Sequence, residues 1–214
     1  MTTTEPRVRT VAEARADLYE LLAATFDGEM DVLVAAIETG IFVDVAATLP
    51  VDIDASSLED GTVDREKLAI TYDNLFVVPG PRYVPPFASA HTTAPSESFE
   101  SDSPFHDEGE AGELLGDPAA TMSRLYARAG VSPDPGDFPD HVATQVAFLA
   151  ALERANARPG EERGEALQEL WQGTVSNLSW LDSFHRSIER VDDTGVFTAL
   201  AGILRTVIAD TCNN

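Results

Sequence analysis

The chain is poor in cations, in cysteine and in long apolar runs. Lysine and arginine together number 14, and Lys67 is the only lysine. Against 37 acids this leaves a formal charge of −23. Such a surface repels nucleic acid and anionic lipid, so neither is expected as a partner. The lone cysteine, Cys212, permits no internal disulfide and no cysteine metal site. No stretch approaches the ~18 uninterrupted apolar residues of a membrane span, which excludes membrane insertion through a helix. The opening MTTTEPRVRT has no apolar core of a secretory signal. Arg7 and Arg9 are not adjacent, so they are not a twin-arginine pair. The expected location is the cytoplasm.

Catalytic and metal signatures are missing too. The four histidines, His91, His106, His141 and His185, show no metal-ligand spacing such as H-E-x-x-H. There is no G-x-S-x-G elbow and no glycine-rich phosphate loop. Neither metal nor cofactor is expected. No segment reads convincingly as a strand.

Amphipathic helices are what the chain does contain. Thr10-Val11-Ala12-Glu13 reads as a capping box opening a helix to Phe26. Helices follow over about 30–38 and 41–49, then from a cap at Thr62 or Asp64 to Val78. Asp117-Pro118 starts another, ending at Gly130. A helix from about Asp140 to Asn156 carries apolar residues on two faces, as a central bundle helix does. Three more occupy about 161–176, 177–191 and 194–209. The expected fold is an all-α, single-domain helical bundle. Residues 1–9 are read as a flexible N-terminus, 10–211 as the helical domain, and 91–112 as a mobile, acidic, serine-rich insertion.

The exception to this regularity is Tyr72 to Ser89, YDNLFVVPGPRYVPPFAS. Tyr72, Leu75 and Phe76 share a helical face, and then Pro79-Gly80-Pro81 ends the helix. The segment Arg82-Tyr83-Val84-Pro85-Pro86-Phe87 is apolar, aromatic and rigid. An irregular loop of this kind inside a compact domain points to function. A second such place is Asp137-Phe138-Pro139-Asp140-His141, where a carboxylate adjoins an imidazole. Asp140 also fits a helix N-cap, where its charge suits the dipole.

The Y-x-x-L-F then P-P-aromatic-x-S pattern of the first segment, and the D-H pair opening a helix in the second, resemble the TorD/DmsD family. These are cytoplasmic chaperones that proofread twin-arginine signals on molybdoenzymes. The likeness covers about 12–208. At Asn177-Leu178-Ser179-Trp180 it departs from the family's H-L-x-x-W by lacking the histidine. The resemblance implies a non-catalytic chaperone for the signal peptide or apo catalytic subunit of a molybdopterin oxidoreductase, of the DMSO or TMAO reductase type. It would delay export until cofactor insertion. The implied peptide site is Tyr83, Pro85, Pro86, Phe87 and Ser89 with Asp137, Asp140 and His141. Asp140 would accept from the peptide's arginines, whose planar fork matches a carboxylate. Relatives imply a monomer or a domain-swapped dimer.

Three other readings remain open. One is a nitrate-reductase-type assembly chaperone acting on the enzyme body. Another is a small hydrolase using Asp140 and His141. The third is an acidic helical adaptor. The acid excess also has two readings: adaptation to high internal salt in a halophile, and a docking surface for a basic peptide.

Overall fold

The structure is a computed structural model. It describes residues 10–51, 53, 58, 64–92, 116–157 and 164–213. The helices are α1 (Val11–Phe26), α2 (Met30–Glu38), α3 (Ile41–Ala46), α4 (Arg65–Tyr72), α5 (Ala88–His91), α6 (Asp117–Ala129), α7 (Val142–Asn156), α8 (Gly164–Asn177), α9 (Leu181–Glu189) and α10 (Val196–Asn213). Among the described residues there is no strand, and no helix is long and apolar enough to cross a membrane. The N-terminal tail, 1–9, and most of the acidic insertion, 91–112, lie outside the described residues.

The centre is the pair α1 and α7. Thr10 caps α1 with the expected capping box: its side chain accepts from Glu13 N–H, and Glu13 accepts from Thr10 N–H at 2.9 Å. Ala14, Leu18 and Leu22 of α1 and Val142, Val146 and Leu149 of α7 are buried in the main core. Alanines at 16, 23, 143 and 150 are also buried, and small side chains let helix axes approach. Arg15 meets Glu153 at 3.2 Å, and Arg154 meets Asp17 at 2.5 Å and Glu20 at 2.8 Å. Low residue numbers on α1 thus pair with high ones on α7, and the helices run antiparallel. Both Glu153 and the Arg15 side chain are largely buried, so each charge is exposed to the other more than to water.

Aromatic rings fill the core beside this pair. Phe76 lies 5.9 Å from Phe26, 5.9 Å from Phe184 and 5.6 Å from Phe197. Fully burying one such ring is worth about 1.5–3 kcal/mol. A smaller cluster of Met122, Leu125, Tyr126, Phe148, Leu152 and Leu170 joins α6 and α8 to the back of α7. This accounts for the two apolar faces of α7.

The helix expected to continue to Val78 changes form part-way. Residues Asp73–Val77 are a π-helical turn, closed by Val78 N–H donating to the Asp73 carbonyl at 2.8 Å. The cause is Pro79. In an α-helix the Leu75 carbonyl would accept from residue 79, which has no N–H. Val84 donates to it instead, at 2.7 Å, and so draws the proline-rich segment onto the bundle.

Candidate functional site

That segment, 83–91, forms a strap across the N-terminal end of α7. Tyr83 is half-buried, Val84 and Pro86 are buried, and Pro85 and Phe87 are half-buried. The strap pairs with the residues before α7 as a short antiparallel bridge between Phe87 and His141. Val142 N–H donates to the Pro86 carbonyl at 2.8 Å, and Ala88 N–H donates to the Asp140 carbonyl at 3.0 Å. The two stretches singled out in the sequence, 51 positions apart at Ser89 and Asp140, therefore meet in space.

Asp140 ties them together. It is 1% exposed. Its Oδ2 accepts from Ser89 N–H at 2.8 Å and from Ser89 Oγ–H at 2.5 Å. Its backbone carbonyl accepts from Gln145 Nε2 at 2.7 Å, and Gln145 Oε1 in turn accepts from Asn177 Nδ2 at 3.1 Å. Oδ1 is buried and has no hydrogen-bond partner among the described residues. Asp140 is not the N-cap of α7. His141 is, with Nδ1 accepting from Ala143 N–H at 3.2 Å. The Asp140 side chain is engaged by the strap, and the imidazole takes over the capping.

This arrangement fixes the state of His141. Burial pushes the imidazole down to about 4, against the smaller opposing pull of Asp140 and Asp137. It is neutral at pH 7 and accepts through Nδ1. No hydrogen bond joins it to the Asp140 carboxylate among the described residues, so the pair is not an acid–base relay.

The outer surface of the junction is aromatic. Phe87 stands 4.9 Å from Phe138 and 5.1 Å from the His141 ring. Phe138 is 39% exposed, a large apolar residue in open solvent. Asp137 beside it is exposed. Tyr126 fastens the connector from below, its hydroxyl donating to the Pro139 carbonyl at 2.8 Å. Eight residues were expected at the site. Phe87, Ser89, Asp140 and His141 form the direct junction, with Pro86 bonded through its carbonyl and Asp137 at the rim. Tyr83 and Pro85 sit farther along the strap.

His91, which no sequence motif assigns to the site, holds the strap's far end. Its Nε2–H donates to the Pro85 carbonyl at 2.8 Å, and its ring stacks on Trp180 at 5.0 Å. Burial lowers its pKa, more than the Pro85 bond raises it. Asn177 also acts here, through Gln145, at the position where the resemblance pattern has histidine.

A family model described as nitrate reductase delta subunit matches residues 21–186. The chain belongs to this family. It is a family of molybdoenzyme assembly chaperones, which act without catalytic turnover. No curated protein and no solved structure matches the chain. The matched span of this delta-subunit family member includes the whole strap, the connector and α7, so the strap junction lies inside it. The hydrolase reading of Asp140 and His141 fails on both the family and the geometry.

Proposed function

We propose that the chain binds the twin-arginine signal peptide of a molybdopterin oxidoreductase of the DMSO or TMAO reductase type. It holds the apo catalytic subunit in the cytoplasm until the cofactor is inserted. The observation that carries this reading is the strap junction: a rigid aromatic surface of Phe87, Phe138 and His141 beside the exposed carboxylate of Asp137. A signal peptide offers the complement, a cationic end followed by an apolar stretch. The reading divides labour between the two aspartates. Asp140, enclosed and engaged by Ser89, sets the shape of the strap, while Asp137 faces the guanidinium. The charge of −23 favours approach of a basic peptide over longer range.

Calorimetric titration with the signal peptide of the host's own molybdenum oxidoreductase tests this. Micromolar binding is expected, weakened at least tenfold when both arginines are replaced by lysine, and weakened again in Phe87→Ala protein. Binding indifferent to the arginines, but retained by the enzyme body without its N-terminal segment, is the behaviour of a nitrate-reductase-type assembly factor and would refute the signal-peptide reading.

A further inference from the structure

Next to the strap lies a groove of about 420 Å³ that none of the expected site residues except Asp137 reaches. It runs between the C-terminal end of α1, the 131–137 connector and the outer face of α7. Its floor is apolar and shallow, made by Ala24, Val131, Ala147 and Phe148 among others. Val131 is 48% exposed, and Ala147 faces solvent from the middle of a helix whose neighbours are mostly buried. Four carboxylates line it: Asp27, Glu29, Asp134 and Asp137. None pairs with a cation among the described residues, although six arginines elsewhere do.

Two features of the groove favour a cation. Partial burial raises the Asp27 pKa, and the neighbouring charges of Asp137 and Glu29 raise it further. Independently, Asp27 is the C-cap of α1, and the last turn of α1 contains no basic residue. A helix C-terminus carries partial negative charge and is stabilised by a cation. Here the chain places an aspartate on it and two more acids around it. Asp27 and Glu29 also line the next cavity, of about 490 Å³ beside Tyr72 and Asp73. Asp27 and Glu29 thus form an acidic ridge between two cavities.

We infer that this groove is where the arginines of the client's N-terminal segment dock, with Asp27 and Asp137 as their acceptors. The inference rests on the signal-peptide reading and gives the peptide's cationic end a place beside the strap junction, whose aromatic surface meets the apolar stretch that follows. Two carboxylates lining one groove suit the planar, multi-donor guanidinium better than the point charge of lysine. An alanine floor lets a peptide backbone lie close to α7, and the docked segment covers the exposed Val131.

The test uses the full chain and a fluorescein-labelled synthetic peptide, an Arg-Arg pair followed by a leucine- and alanine-rich stretch. Anisotropy titrations compare wild type, Asp27→Asn, Asp137→Asn, and Asp44→Asn on α3 as a control outside the groove. Binding is expected to weaken at least tenfold in each groove variant and to stay unchanged in the control. The Tm of Asp27→Asn should be equal to or above that of wild type, because a repulsion is removed; a merely structural role for Asp27 predicts a fall. Wild-type binding that both groove variants retain overturns the inference and leaves the signal-peptide reading in place. No wild-type binding removes both. A change of sedimentation in the groove variants with peptide binding intact identifies a second copy of the chain as the occupant, and also overturns it.

Discussion

Asp140 shows how one side chain can be claimed by two uses. Local sequence makes it a good N-cap, since aspartate just before an apolar helix normally accepts from the first turn. Ser89 displaces that local bond with two donors to one oxygen. Nothing within a few residues of Asp140 announces a partner 51 positions away, so the proximity of the two motifs was legible only through the family pattern. Replacing Asp140 with alanine leaves Ser89 N–H enclosed and unpaired. A loss of about 1–3 kcal/mol is expected in urea denaturation. Asn keeps an acceptor for Ser89 and should lose less; equal stability of Asp140→Ala and wild type would contradict this role for the strap. His141 supplies a pH prediction. Its folded pKa, about 4, lies below the ordinary 6.5. The unfolded chain therefore binds the proton more readily, and this contribution to stability is complete above about pH 6.5 and is lost as the pH falls toward 4. A shift of this size corresponds to about 3 kcal/mol. His141→Asn, which can still cap α7, should flatten the stability profile between pH 6.5 and 4; His91, shifted in the same direction, keeps a remainder of the slope. An unchanged slope would mean that His141 does not stay neutral in the folded protein.

Among the elements, boundaries set by local chemistry were readable and those set by contacts were not. The α1 capping box and the stop at Gly130 come from adjacent residues, and both are where the sequence places them. The helix expected over 41–49 ends at Ala46, and the last helix continues past 209 to Asn213. The chain's path after the π turn at Asp73–Val77 is held by Val84 donating to the Leu75 carbonyl, and the start of α5 by Ala88 donating to the Asp140 carbonyl. Neither partner is close enough in sequence to be inferred from helical periodicity. The groove was missed for a related reason: Asp27-Gly28 reads as a helix stop, and the α7 alanines read as packing positions. Gly28 does more than stop α1. Its φ is +93°, and a Cβ there would lie 3.0 Å from the Tyr72 ring. The same tyrosine donates from its hydroxyl to the Phe26 carbonyl at 3.0 Å, joining α4 to the end of α1. Gly28→Ala should therefore cost about 1–3 kcal/mol from backbone strain alone, measured as a lower midpoint in urea. Tyr72→Phe should cost about 1 kcal/mol, the net worth of one hydrogen bond. A neutral Gly28→Ala would show that the α1–α2 turn relaxes freely.

At the scale of the whole molecule, composition was the most informative property for the class and the least for the client. An all-α bundle follows from the helical periodicities, and it holds across the described residues. A charge of −23 on 214 residues predicts strong self-repulsion at low ionic strength. Since the Debye length falls from about 10 Å at 0.1 M salt to about 3 Å at 1 M, Tm should rise on going from 0.1 M to 1 M KCl. A Tm independent of KCl would leave the acid excess without a role in folding. Under the proposed signal-peptide reading, salt screening acts on binding in the opposite sense, so at molar KCl the apolar surfaces would supply more of the affinity than the carboxylates. The most direct measurement is the molybdenum content of the catalytic subunit that co-purifies with the tagged chaperone from its host. A chaperone of the proposed kind should bring down a molybdoenzyme subunit that still carries its N-terminal arginine segment and contains far less than one molybdenum per polypeptide. A bound subunit with stoichiometric molybdenum, or no molybdoenzyme subunit at all, would contradict that role.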